Sequence, residues 1–130
     1  MRYALLNVLI CPMCKHFPLK VFVFNEKRLG IHVETEPGTA FCDLYCGYNG
    51  VFISEKHEVR CKECLSRDIL WGILYCNKCH RWYPVINGIP LLYPDDIRKN
   101  TFIKHIEEGF IHKYQHHIPR EILANDHLRS

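Results

Sequence analysis

The eight cysteines of the chain fall into four close pairs, and none of them stands alone. The pairs are Cys11–Cys14, Cys42–Cys46, Cys61–Cys64 and Cys76–Cys79. A turn of two or three residues between two cysteines aims both thiolates at one ion, and two such knuckles complete a tetrahedral site of four sulfurs. Four knuckles therefore predict two structural zinc ions held by all eight cysteines.

Other uses of paired thiols fit the sequence less well. Disulfides are rare in cytosolic chains, and residues 4–10 are too short an apolar run for the export signal that would place the chain elsewhere. Iron in a rubredoxin-like site would use the same ligands as zinc. Cys76 to His80 matches the C-x-x-C-H pattern of haem attachment, but both of its thiols are needed to complete a zinc site. We interpret His80 as an ordinary surface histidine.

A nested and a sequential pairing of the knuckles both fit the sequence. Residues 47–60 separate the two middle knuckles, close to the spacing of an autonomous zinc module. This spacing favours a nested arrangement, in which the middle knuckles share one ion and the outer knuckles share the other. A sequential arrangement, first knuckle with second and third with fourth, stays open.

No catalytic constellation accompanies the cysteines. The chain has neither a G-x-G-x-x-G fingerprint nor a phosphate-binding P-loop. Asp95–Asp96 and Glu107–Glu108 are neighbours in sequence and indicate a helix start and a solvated helix face. His112 and His116 could share one helical face, for which solvent exposure is favoured over a metal site. Because a closed four-sulfur zinc site leaves no position for a substrate, we expect a binding protein without catalytic residues.

The elements that position the knuckles include both helices and strands, as the spacing of their apolar residues indicates. Residues 3–10 suggest a short buried helix, residues 25–28 a charged turn, and Asn87–Gly88 a tight hairpin. Asp95 or Asp96 can cap a helix that continues to about residue 115, and residues 121–124 form a last short segment. The helix up to residue 115 has an apolar stripe, which we expect to pack on the domain's own sheet rather than on a partner. The stripe comprises Ile97, Phe102, Ile103, Ile106, Phe110 and Tyr114. Strands are predicted over residues 17–24, 29–35, 51–53, 70–75, 81–86 and 89–93.

The composition excludes some classes of function but does not identify one. The 130 residues are 48% hydrophobic and 24% charged, which is typical of one globular domain. The net charge of +3 is too small to assign a nucleic-acid partner. No run approaches the eighteen apolar residues that span a bilayer, so we expect a cytoplasmic protein without membrane contact.

Two blocks of sequence resemble the family of small subunits that activate tRNA, rRNA and release-factor methyltransferases. The first block comprises residues 1–3, 6–11 and 17–19, and the second comprises residues 72–79 and 83–92. Asn87-Gly88-Ile89-Pro90, which follows a knuckle, is the most specific part. The chain departs from the family in having the second cysteine module, Cys42 to Cys64, between the blocks, and in continuing past Pro94.

The resemblance implies an α+β fold in which a small zinc-ribbon-like antiparallel sheet is built from both ends of residues 1–94, namely 1–35 and 70–94. The second knuckle module would be inserted over 36–69, and a C-terminal helical extension would occupy 95–130. The resemblance implies zinc on Cys11, Cys14, Cys76 and Cys79.

The resemblance also implies a non-catalytic subunit that forms heterodimers with class I S-adenosylmethionine-dependent methyltransferases and meets nucleic acid only through its partner. An apolar edge strand is suited to adding to a partner's sheet. The expected contact residues, helped by the N-terminal helix, are Ile89, Pro90, Leu91, Leu92 and Tyr93.

Two other functions remain as alternatives. A zinc ribbon acting in transcription or translation would bind nucleic acid directly, through basic residues near the knuckles and one aromatic side chain. Those residues are Lys15, Lys20, Arg60, Lys62, Lys78, Arg81 and Trp82. A rubredoxin-like electron carrier would hold iron on the same cysteines.

Overall fold

A computed structural model describes residues 1–29, 42, 44–53 and 64–126. It has a 3-10 helix at Tyr3–Asn7 and the strands β1 (Lys20–Arg28), β2 (Tyr45–Cys46), β3 (Val51–Phe52), β4 (Arg67–Tyr75), β5 (Trp82–Ile86) and β6 (Ile89–Pro90). Three helices follow, which we label α1 (Asp95–Arg98), α2 (Thr101–Tyr114) and α3 (Arg120–Ala124). The chain is therefore a mixed α and β protein with few helices.

The main sheet is antiparallel and has the strand order β1-β4-β5-β6. β2 and β3 form a separate two-stranded sheet. The turn between β5 and β6 places Asn87 at a φ of 48° and Gly88 at a φ of 83°. Two successive residues with positive φ match the right-handed twist of a two-residue hairpin, so the hairpin predicted at Asn87–Gly88 is confirmed.

The main sheet is covered on both faces. Side chains on one face pack with the N-terminal segment and the outer knuckles, while those on the other face pack with α2 and α3. Alternation along the strands sends Val21, Val23, Leu74, Tyr83 and Val85 to the first face and Phe22, Trp71, Ile73, Trp82 and Ile86 to the second. This double burial explains why β4 and β5 read as nearly continuous apolar runs.

The β2–β3 hairpin is tied to the 3-10 helix. The Asn7 side-chain oxygen accepts hydrogen bonds from the backbone N–H groups of Leu44 at 3.0 Å and Tyr45 at 2.7 Å. Gly47 faces the helix so closely that a Cβ there would lie 2.7 Å from the Tyr3 carbonyl oxygen. Any larger residue at position 47 would push this hairpin away from the N-terminal segment.

A buried ion pair holds α1 to α2. Arg98 Nε donates to Glu107 Oε2 at 2.9 Å, and both side chains are only 1% exposed. The Arg98 guanidinium lies 5.1 Å from the centroid of the Trp82 ring, and Trp82 Nε1 donates to Asp126 Oδ2 at 2.7 Å. The helices therefore pack on the chain's own sheet, as we expected. None of the described helices has the length and apolar character needed to cross a membrane.

The N-terminal half differs from prediction in two ways. The helix is a single short 3-10 element in which only Tyr3 and Leu6 are buried, while Val8 beyond it is 68% exposed. β1 starts at Lys20 and continues through the predicted charged turn at residues 25–28. Its polar residues have partners within the fold, since Glu26 accepts from Tyr3 and Arg67. Most of the strand predicted over 29–35 lies outside the described residues.

The C-terminal helix also differs from prediction. It is broken after α1, and Asn100, rather than Asp95 or Asp96, caps the long helix by accepting from the Phe102 N–H at 2.9 Å. Phe102, which the apolar stripe placed against the sheet, is 70% exposed. The predicted solvated role of Glu107 was wrong because Arg98 supplies a buried charge partner.

We predict that Glu107→Gln destabilises the fold by about 3 kcal/mol or more, because it leaves the buried Arg98 cation without its counter-charge. Urea unfolding followed by circular dichroism measures the change. Glu108→Gln, on the exposed side of the same helix, is the matched control and should shift stability by less than about 0.5 kcal/mol. Equal losses in the two variants would contradict this account of Glu107.

Candidate metal centre

The outer two knuckles meet at one point. The sulfurs of Cys11, Cys14, Cys76 and Cys79 all lie within 4.8 Å of one another. Cys14 Sγ is 3.4 Å from Cys76 Sγ, although the two residues are 62 positions apart in sequence, and Cys11 Sγ is 3.6 Å from Cys79 Sγ. This is the cluster that the nested arrangement predicts, and it rules out the sequential pairing for the first and fourth knuckles.

The two knuckles have the same backbone geometry. Lys15 N–H donates to the Cys11 carbonyl at 2.9 Å, and His80 N–H donates to the Cys76 carbonyl at the same distance. Lys15 and His80 both have left-handed backbones, with φ of 63° and 62°. The first knuckle follows the N-terminal segment and the second connects β4 to β5. Each pair of thiols is thus presented from one side by an independently hydrogen-bonded turn.

Burial raises the pKa of both Cys11 and Cys76, and backbone donors from the two turns lower it. Burial raises the pKa of the Cys11 thiol, but hydrogen bonds from the Cys14 N–H, the Tyr83 hydroxyl and the Met13 N–H outweigh it and lower the pKa to about 7. Burial instead raises the pKa of Cys76 to about 12. Four soft sulfurs in a buried, preformed cluster fit one zinc ion, whose binding would displace the remaining protons.

A second layer of side chains surrounds the sulfurs. Tyr83 Oη lies 3.2 Å from Cys11 Sγ, and burial raises the pKa of Tyr83, so its hydroxyl keeps the proton that it donates. Arg81 forms a two-pronged pair with Asp95, with Nε to Oδ1 at 2.9 Å and Nη2 to Oδ2 at 2.7 Å. Sequence reasoning did not identify the roles of Tyr83 and Asp95, because no fixed spacing from a cysteine marks them.

The second predicted cluster is not brought together among the described residues. Cys61 lies outside them, and Cys42, Cys46 and Cys64 form no common group with other ligand side chains of the described segments. Cys46 Sγ lies 3.3 Å from Asn49 Oδ1 and accepts from the Asn49 N–H at 3.4 Å. None of the seven described cysteines forms a disulfide. The second zinc site stays a prediction.

The structure shows the surroundings of three histidines and of two residues proposed for nucleic-acid contact. His80 is exposed, and its Nδ1 lies 2.8 Å from the Tyr75 hydroxyl. His112 and His116 are exposed and belong to no metal-ligand group of the described chain. Trp82 is 1% exposed, and Arg81 is engaged by Asp95, so neither lies free on a nucleic-acid surface. Arg60 and Lys62 fall outside the described residues.

The expected partner edge is the outer edge of the main sheet. Only Ile89 and Pro90 of the predicted strand 89–93 pair as β6. Leu91 N–H still donates to the Pro84 carbonyl at 2.9 Å, but Leu92 and Tyr93 make no backbone hydrogen bond to any other described residue. Proline at positions 84 and 90 supplies no donor to the ladder, which limits its length. Ile89 is 61% exposed.

Fold and site together define a small protein with a cluster of four cysteines that could hold a metal ion at one end of a sheet and an apolar edge at its side. A family model, Trm112p-like protein, matches residues 2–88. The chain belongs to the Trm112p-like family, the small activator subunits of methyltransferases. Members of this family are non-catalytic. No curated relative matches the chain. The match ends before α1, so the helical extension lies beyond the matched region.

We predict that Cys76→Ser abolishes metal binding at the outer knuckles, because the serine hydroxyl is a poor substitute for a buried thiolate. Elemental analysis of the purified variant should show less zinc per chain than in the parent protein. His80→Asn is the matched control: it lies in the same turn, and asparagine tolerates a left-handed backbone. Unchanged zinc content in Cys76→Ser would exclude this cluster as a metal site.

Proposed function

We propose that the chain is a non-catalytic subunit that activates and stabilises class I S-adenosylmethionine-dependent methyltransferases acting on tRNA, rRNA or translation factors. Its membership of the Trm112p-like family over residues 2–88 carries the proposal. It forms heterodimers in the cytoplasm and meets nucleic acid only through its partner.

Zinc at Cys11, Cys14, Cys76 and Cys79 has a structural role in this proposal. A four-sulfur site has no open position for water or substrate, so it supplies neither a Lewis acid nor a nucleophile. It fixes the N-terminal segment against the β4–β5 turn. A second zinc on Cys42, Cys46, Cys61 and Cys64 would hold the middle module in the same way.

The partner adds to the edge formed by β6 and residues 91–93. Unpaired backbone groups at Leu92 and Tyr93 can accept a strand from another sheet, and Ile89 offers exposed apolar surface beside them. No charged residue occurs between Trp82 and Pro94. A partner would thus gain a strand. Docking would also bury apolar surface that is exposed when this chain is alone.

The opposite edge of the sheet is unsuited to the same use. β1 carries exposed Lys20, Lys27 and Arg28 and has a register irregularity at Asn25. Charges and bulges of this kind prevent strands from pairing edge to edge. The contrast between the two edges favours β6 as the docking side.

Purification of the chain from its native lysate, followed by mass spectrometry of bound proteins, tests the proposal. We expect methyltransferases of class I among the bound proteins, and methyl transfer that requires both chains. Recovery of ribosomes or RNA without a methyltransferase would instead support the nucleic-acid alternative. Steep loss of that binding with salt would identify phosphate contacts.

The docking edge can be tested separately with the reconstituted pair. We predict that Ile89→Asp weakens the complex at least about tenfold, because it places a charge in an apolar contact without disturbing the core. Phe102→Asp is the matched control, since Phe102 is comparably exposed but lies on α2. Titration calorimetry measures both. Equal affinity of Ile89→Asp and the parent chain would move the docking surface away from β6.

A further inference from the structure

The C-terminal extension reaches the metal centre through Asp95. Both oxygens of this carboxylate are bound by Arg81, which sits two residues beyond the ligand Cys79. The Arg81 backbone carbonyl also accepts from the N–H of the ligand Cys76 at 2.9 Å, so Arg81 is part of the base of the second knuckle. On the other side of the junction, Asp95 N–H lies 3.5 Å from Met13 Sδ in the first knuckle. The residue that opens α1 therefore touches both knuckles.

A second connection runs through Arg98 and Tyr83. The Arg98 guanidinium lies 5.2 Å from the centroid of the Tyr83 ring, and the hydroxyl of that ring lies 3.2 Å from Cys11 Sγ. Glu107 of α2 holds Arg98 through Nε, while Arg98 Nη2 has no hydrogen-bond partner in the described part of the chain. The extension thus fixes Arg81 at the second knuckle and Arg98 against the tyrosine whose hydroxyl contacts Cys11 Sγ.

We propose that the C-terminal extension is the outer shell of the metal centre, with Asp95 as a positioning residue that holds Arg81 at the base of the second knuckle. Arg81 and Arg98 are each paired with a carboxylate, so the extension supplies position and hydrogen-bond donors to the knuckles rather than net charge. Metal binding and docking of the extension then reinforce each other, because each preorganises groups that the other requires. The proposal concerns metal affinity and holds whether or not the partner is a methyltransferase.

Zinc affinity in the full chain tests the positioning role. We expect Asp95→Asn to weaken zinc binding by roughly 10- to 100-fold in competition with a chromophoric chelator, the range found for outer-shell partners of metal ligands. Asp96→Asn, which changes the exposed neighbouring carboxylate, should leave the affinity unchanged, and Asp95→Glu should restore part of it. The thiolate-to-metal absorption of the cobalt-loaded Asp95→Asn protein should shift as well.

A merely structural role predicts a different result. If Asp95 only anchors α1, the folded Asp95→Asn protein will bind zinc within a factor of two of the parent chain with an unaltered cobalt spectrum, which overturns the proposal. If the variant does not fold, hydrogen exchange of the parent chain decides. Zinc removal should raise exchange in α2 while β1 stays protected. Unchanged exchange in α2, or an equal rise in β1, overturns the coupling.

Discussion

The convergence of four sulfurs at the end of β4 and β5 is the constraint on which the rest of the structure depends. Cys14 and Cys76 are 62 positions apart, so joining them closes a long loop that a chain of this size would otherwise close by apolar burial alone. Once closed, the junction fixes the path of the N-terminal segment across one sheet face. Leu6 and Leu19 then fill the core on that face beside Cys11 and Cys76.

A sheet covered on both faces leaves only its edges for a partner. The metal-side core occupies one face, and the packing of Phe110, Tyr114 and Ile118 on Trp82 and Ile73 occupies the other. The middle strands are therefore buried on both faces of the sheet and cannot contact a partner without unfolding. Among the described residues, the backbone of Leu92 and Tyr93 and the Ile89 side chain stay open at the outer edge of β6. Recognition by strand addition is thus favoured by the way in which the core is built.

Short sequence patterns correctly predicted the features that neighbouring residues determine by themselves. Thiol spacing identified the outer knuckles, and Asn87-Gly88 identified its hairpin, because a turn is decided by the few residues within it. Glu107 was wrongly predicted to face solvent because its partner Arg98 is buried with it. The sequence around Glu107 does not show that its charge is paired inside the core. Asp95 was taken for a helix cap, yet Arg81, on the far side of the β5–β6 hairpin, engages its carboxylate. Propensity states what a residue can do alone, whereas tertiary contacts decide which of its options is used.

The helical extension lies beyond the family match, yet it shares a core with the matched region. Without it, Trp82 and Ile73 would face solvent on a sheet whose other face is already filled, and so large an apolar surface is a binding site or an aggregation hazard. Covering that face by the chain's own helices removes its apolar side chains from solvent. The extension also places Asp95 on Arg81, and Arg98 beside the ring of Tyr83, whose hydroxyl contacts Cys11 Sγ. One packing arrangement thus covers a face of the sheet and ties the extension to the outer knuckles.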